Sequence, residues 1–304
     1  MKYFIFLSLF LLTTQLSAAN YFLPDSIGTN AKMISTGSQG LGFGSAQIFE
    51  NPGSVEIKSF SVSGFKTTLM NDFEYSNTAI GIKTPLGNLS AGFLQLSTSD
   101  IPHTTLATNP IYNEEEISVV QSYSYRNIIG KLGLTVPINE FIQVGTNLSF
   151  LYTELFNTYG KGFNADFGTR LNLNPLTLSL AFKNLLPTDV TYNDKSKENI
   201  PYHFLMASQY RFNDQLSLFG QLQLYESNLE QGYLKNIGLK ADLLPTLFYI
   251  ATSYKEFFVL DQRKKTWAFG FGLTLSGLSL DYAFEKSDYP PTDNNYYFSI
   301  GVDI

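Results

Sequence analysis

The sequence predicts an all-β protein: a transmembrane antiparallel β-barrel of about 14 strands, preceded by a short N-terminal hatch segment. Three observations predict it. The 304 residues include 26 Phe and 19 Tyr but only 15% charged residues, against roughly 25% in an ordinary soluble domain. From residue 57 onward, apolar and polar residues alternate with period two, the pattern of strands with one apolar face. The connections between these strands sort by length into two alternating classes, as in outer-membrane barrels with short turns at one end and long loops at the other.

The N-terminus reads as an export signal. Met1-Lys2 is a short basic start, Tyr3 to Leu12 is apolar, and Ser17-Ala18-Ala19 has the small-x-small form of a cleavage site. The apolar run is too short for a membrane anchor, which needs about 18 residues. Cleavage is expected after Ala19, with no Cys to carry a lipid anchor. The rest holds no long apolar helix, so a membrane role must come from strands.

The expected strands are 57–69, 73–84, 88–98, 116–137, 141–155, 158–173, 176–184, 201–212, 215–227, 232–244, 246–256, 264–275, 278–286 and 294–304. In 141–152, Ile142, Val144, Leu148, Phe150 and Tyr152 share one face, while Gln143, Gly145, Asn147 and Ser149 share the other. In 264–275, Trp267, Phe269, Phe271 and Leu273 alternate with Ala268, Gly270, Gly272 and Thr274. Aromatics gather at strand ends, with Tyr202 and Phe204 at one and Tyr210 and Phe212 at the other. The Gly, Ser, Thr, Asn and Gln of the second face suit a wet lumen. The strand 116–137 changes phase, from odd Ile117, Val119, Tyr123 and Tyr125 to even Ile128, Leu132 and Leu134. A bulge near Arg126-Asn127 would re-phase it. Tight turns fall at Pro85-Leu86-Gly87, Ile138-Asn139-Glu140, Asn174-Pro175, Asn213-Asp214, Pro245 and Ser276-Gly277. The alternate connections include every long loop: 99–115, 185–200, 257–263 and 287–293. A soluble sandwich has no reason to sort its loops this way.

Residues 20–56 do not alternate. They contain Gly40, Gly42 and Gly44, a short helix expected over Ala46–Glu50, and then Asn51, Pro52 and Gly53 just before the first strand. A compact Gly-rich segment suits the mouth of a barrel; the alternative is a flexible arm. The Gly-x-Gly-x-Gly spacing lacks the βαβ context of a nucleotide loop. This stretch resembles the N-terminal signature of the FadL superfamily of fatty-acid transporters and their PorV/PorQ-type relatives, where a Gly-rich stretch leads into an Asn-Pro-Ala-Gly motif. Residues 79–92 also resemble the second and third strands of that family. The resemblance implies a 14-stranded outer-membrane barrel with an N-terminal hatch (residues 20–56, with the barrel over 57–304). No ligand-holding residues carry over.

Composition limits the chemistry. With no Cys, thiol nucleophiles and Cys-ligated metals are excluded, and two His leave little room for a His-rich metal site. A net charge of −6 without a basic patch argues against nucleic acid. No catalytic constellation stands out, so neither enzyme activity nor a cofactor is expected. His103 lies in a long loop. His203, near Asp189 or Asp194, forms a conceivable rim pair, but a solvated histidine is the commoner case. The better functional candidates face inward: Lys131, Asn164, Asp166, Arg170, Lys183, Arg211, Lys240, Asp242, Asp281 and Glu285. Charges of both signs either pair across the lumen to hold a plug or line a solute path.

Three functions fit: uptake of hydrophobic, fatty-acid-like molecules; a PorV/PorQ-like role binding exported proteins through loops 99–115 and 185–200; and a general porin. Expected partners are outer-membrane lipids, the barrel-assembly machinery, and a hydrophobic ligand or exported protein. The barrel is expected to be monomeric.

Overall fold

The computed structural model describes residues 21–42, 44–108, 115–226, 231–244, 247–259, 262–289 and 293–304. The expected signal peptide lies outside them. The strands are β1 (Phe60–Leu69), β2 (Phe73–Thr84), β3 (Gly87–Thr108), β4 (Glu115–Pro137), β5 (Ile142–Leu155), β6 (Thr158–Leu173), β7 (Leu176–Lys183) and β8 (Asp189–Tyr192). They continue with β9 (Lys197–Asn199), β10 (His203–Arg211), β11 (Leu216–Glu226), β12 (Gln231–Leu244), β13 (Phe248–Val259), β14 (Gln262–Leu275), β15 (Leu278–Ser287) and β16 (Asn295–Asp303). Fourteen of them, all but β8 and β9, close into an antiparallel ring in which every strand pairs with two neighbours, β1 with β16 and β5 with β6 included. Closure removes sheet edges, the condition for strands in a bilayer. No helix among the described residues is long and apolar enough to cross a membrane.

The outer face is an apolar belt. Leu148, Phe150, Phe163, Trp267, Phe269, Phe298 and Ile300 are each about half exposed. Their strand neighbours Asn147, Ser149, Asn164, Ala268, Tyr297 and Ser299 are buried on the inner face. This inside-out arrangement, with large apolar side chains outward, matches a solvent of lipid. Outward aromatic pairs meet at both ends of β10, Phe182 tilted against Phe204 and Tyr210 edge-on to Phe212, their ring centres 5.0 and 5.1 Å apart.

Residues 21–42 and 44–57 fill the lumen. A short helix, α1 (Ala31–Thr36), is capped by the side chain of Asn30 and ended by Gly37 in the left-handed conformation. Three-residue helical turns follow, and Ser45–Phe49 takes the place of the expected helix over Ala46–Glu50. The expected wet lumen is corrected here. Phe65, Leu69, Tyr75, Leu94, Leu96, Ile129, Leu151 and Tyr297 point inward and pack against Tyr21, Leu23, Ile34, Ile48, Phe49 and Val55. Many inward polar residues find partners on the plug or across the wall, which meets the need of buried polar groups for hydrogen bonds.

Four expectations about connections change. First, β3 and β4 continue as a long hairpin through most of the expected loop 99–115. Second, register runs unbroken through Arg126 and Asn127, and the irregularities fall between Thr98 and Ile101 and between His103 and Thr104, where Val120 is left over on β4. The phase change arises because Tyr123 and Tyr125 are apolar residues on the inner face, while Ile128, Leu132 and Leu134 face out. Third, 257–263 is mostly strand, since β13 and β14 pair as far as Val259 and Gln262. Fourth, the loop 185–200 holds the hairpin β8–β9, which pairs with β6 at Gly160 and Lys161, beyond the end of β7. Val190 and Ile200 from this hairpin are buried in the lumenal core.

Candidate functional site

The plug's backbone is fastened by polar side chains of successive wall strands. Ala31 N donates to Ser299, Gln39 N to Gln221 and Ser45 N to Ser61, at 2.7–3.1 Å. Asn77, Asn88 and Asn147 donate to the carbonyls of Thr29, Val55 and Ile48. The motif residues have clear places in this fastening. The Asn51 amide donates to Ser179 Oγ and Thr169 O, while its carbonyl oxygen accepts from Gly53 N. Pro52 O accepts from Thr135, and Gly40 O accepts from both Ser54 and Ser179. Gly53 lies against the wall so closely that a Cβ there would stand 2.5 Å from the Gly168 backbone. Gly42 lies between Met33 and Gln47, and Gly44 has φ +73°.

The inward charges mostly form pairs. Lys131 meets Asp166 at 2.7 Å with both side chains buried, and Asp166 also accepts from Asn184 N. Arg170 meets Glu56 at 3.0 Å and Lys183 meets Glu50 at 3.9 Å, both carboxylates coming from the plug segment. Lys240 pairs with Asp242, and Lys255 with Glu285, which also accepts from Tyr297. Asp281 accepts from Tyr249 at 2.7 Å. Asn164 binds the 185–200 loop through Leu186 O and Thr188. Arg211 lines a cavity of about 170 Å³ between the plug and the wall at the short-turn end, with Lys32, Gln209, Lys240 and Asp242. Sequence reasoning missed Glu50, Glu56, Lys32 and Lys255. Glu50 adjoins Asn51, the only signal that pointed to it.

The opposite, long-loop end carries a larger cavity of about 640 Å³. Its wall is aromatic: Tyr21 and Phe22 from the plug, Tyr123 and Tyr125 from β4, Phe156 from the β5–β6 turn and Tyr192 from β8. His103 stands at its rim, 6.2 Å from the Phe156 ring, and Tyr123 meets Phe156 edge-on at 5.6 Å. Phe156 is the first residue of a two-residue hairpin connection and has φ +56°. Glycine is the usual choice for that conformation, and a bulky side chain there is strained.

Polar groups at the cup's base are bonded to one another. Asn127 accepts from Tyr21 OH at 2.8 Å and donates to Phe22 O and Tyr125 OH at 3.1 Å each. Tyr21 N donates to Asn199 O, tying the plug to β9. Tyr192 OH donates to Glu198 at 2.6 Å. Burial pushes the Tyr21 hydroxyl well up, so it stays a neutral donor. Burial and the Glu198 bond do the same for Tyr192. Asp189 bridges to Lys197 and Asp194 accepts from Ser196. Among the described residues no group of three potential ligands is placed to hold a metal.

No protein-family model and no curated protein sequence matches the chain. Solved structures do. The Pseudomonas putida toluene transporter TodX superposes with a TM-score of 0.66 at 10% identity, over 91% of this chain and 99% of that one. The Ralstonia pickettii toluene transporter TbuX gives 0.62 at 11% identity, over 91% and 98%. A Pseudomonas aeruginosa FadL homologue gives 0.61 at 10% identity, over 94% and 100%. The chain has the FadL-type fold. At these identities the likeness is one of architecture, and in this FadL-type barrel the cup and plug rest on the chain's own residues.

Proposed function

We propose that this chain is an outer-membrane channel that takes up small hydrophobic molecules. The observation that carries the reading is the aromatic cup at the long-loop end, floored by the plug residues Tyr21 and Phe22. A ligand that packs on those rings touches the element that closes the lumen, so its binding energy bears directly on the plug. Ligand pockets are of this kind, apolar walls with a few placed polar groups. The similar solved structures include transporters of toluene, which supports a hydrophobic cargo. Residues 1–19 direct export in this reading, and the barrel-assembly machinery inserts the chain as a monomer. A general porin is less well supported, because residues 21–42 and 44–57 occupy the lumen.

The test is binding and uptake of two probes, toluene and oleate, by vesicles with a lipopolysaccharide leaflet. Tyr123→Ala combined with Phe156→Ala is expected to weaken binding and slow uptake about tenfold, while the barrel stays folded. Equal uptake by wild-type and protein-free vesicles would sink the reading. A second reading, PorV/PorQ-like capture of exported proteins, draws on the projecting β3–β4 hairpin, where Ile117, Val119 and Val120 are 60–71% exposed. It predicts that shortening this hairpin abolishes partner capture and leaves hydrophobic uptake unchanged.

A further inference from the structure

The outer face of β12–β15 combines a groove with a row of cations. Register sets its side chains in rows. Ala241, Ile250, Phe271 and Tyr282 form one row, and Leu239, Thr252, Phe269 and Phe284 the next. The small Ala241 and Thr252 sit among large neighbours, leaving a groove of about 440 Å³ open to the lipid side. One row nearer the long loops stand Ile237, Tyr254, Trp267 and Lys286, with the Tyr254 and Trp267 rings 5.0 Å apart. The following row is Lys235, Glu256 and Lys265. Glu256 is engaged by Arg263 at 3.1 Å, and Lys286 by Asp293 at 3.3 Å. Lys235 and Lys265 make no ion pair among the described residues; Lys235 Nζ lies 4.5 Å over the Tyr233 ring.

We propose that this face is a binding site for one anionic, phosphate-bearing lipid, with an acyl chain in the groove and the headgroup between Lys235 and Lys265. The proposal rests on the membrane-spanning reading of the barrel and is independent of its cargo. A concavity in the belt of a membrane protein is filled by hydrocarbon, since nothing else is at hand. What makes this one selective is the column above it. Rows two residues apart are roughly 6.7 Å from each other, so the lysine row lies about 13 Å along the strands from the Leu239–Thr252 row, roughly 10 Å in height once the strands tilt by about 40°. Long lysine stems reach further toward the headgroup level. Tyr254 and Trp267 fall between, at the depth where amphipathic rings meet the polar boundary. On β1 and β2 the outward pair Lys66 and Glu74 satisfies itself at 3.9 Å and leaves no cation for a phosphate. Glu256, Asp288 and Asp293 lower the local charge, and the two lysines without carboxylate partners carry the recognition.

Native mass spectrometry of the full detergent-purified protein tests this. Lipid A, phosphatidylcholine and inorganic phosphate are the probes. The wild type is expected to retain one lipid A under conditions that strip phosphatidylcholine and to retain no inorganic phosphate. Lys235→Gln with Lys265→Gln, and separately Thr252→Phe, should each weaken retention at least tenfold, while Lys66→Gln leaves it unchanged. If Thr252→Phe does not fold, Ala241→Leu fills the same groove. Equal retention of lipid A and phosphatidylcholine, or unchanged retention in the double lysine variant, would overturn the proposal. Cargo binding is unaffected in either case, so failure here is distinct from failure of the uptake reading.

Discussion

Phe156 shows how a single residue sets stability against binding. Its left-handed backbone costs about 1–3 kcal/mol, while its edge-on contact with Tyr123 returns about 0.5–1.5 kcal/mol. A strained aromatic in a hairpin turn is retained for what its ring touches, and here that is the cup. Phe156→Gly is expected to raise the thermal unfolding midpoint, read from the heat-dependent shift in gel migration of the folded barrel. The same variant should bind oleate several-fold more weakly by equilibrium dialysis. Lys131 and Asp166 make the opposite case. Both are almost fully buried and 2.7 Å apart, so removing one partner strands a charge in a low-dielectric interior. Asp166→Ala is expected to cost about 3–5 kcal/mol. The double change Lys131→Met with Asp166→Leu strands neither charge and should recover at least half of that loss in the same assay.

At the scale of elements, the plug and the wall are held together by short polar side chains and close backbone approach, with two ion pairs, Arg170–Glu56 and Lys183–Glu50, added to them. Gly53 against Gly168 is one such close contact, flanked by the bonds of Asn51 and Pro52. Gly53→Val pushes this segment off β6 and breaks those bonds. Planar-bilayer recordings should then show conductance steps that the wild type lacks. Most barrel strands were legible because a period of two survives in them, as in 141–152 and 264–275. The hatch was legible because Gly40, Gly42, Gly44 and Asn51-Pro52-Gly53 interrupt that period. The cup was not legible, for a physical reason. Its aromatic rings come from four separate segments, and only closure of the barrel brings Tyr21, Tyr123, Phe156 and Tyr192 together. Tyr123 and Tyr125 even misled, since apolar residues on the inner face read as a bulge while the plug they pack on is out of view. The hairpin β8–β9 was missed because strands of four and three residues carry no readable alternation.

For the whole molecule, the division of charge between wall and plug decides what an emptied barrel would be. The wall carries Lys131, Arg170, Lys183, Lys240 and Lys255 against Asp166, Asp242, Asp281 and Glu285, with Arg211 at the short-turn rim. Three of these cations pair within the wall, but Arg170 and Lys183 are answered by Glu56 and Glu50 of the plug segment. Removing residues 21–57 takes those carboxylates away along with Lys32. Closure of the ring does not depend on the plug, because β1 and β16 pair directly. The wall's polar side chains would exchange plug partners for water, which satisfies them in a wet lumen. The truncated barrel is therefore expected to insert, to conduct steadily in planar bilayers, and to pass chloride in preference to potassium, read as the sign of the reversal potential in a salt gradient. A cation-selective pore would mean that Arg170 and Lys183 do not face the emptied lumen as they face the plug.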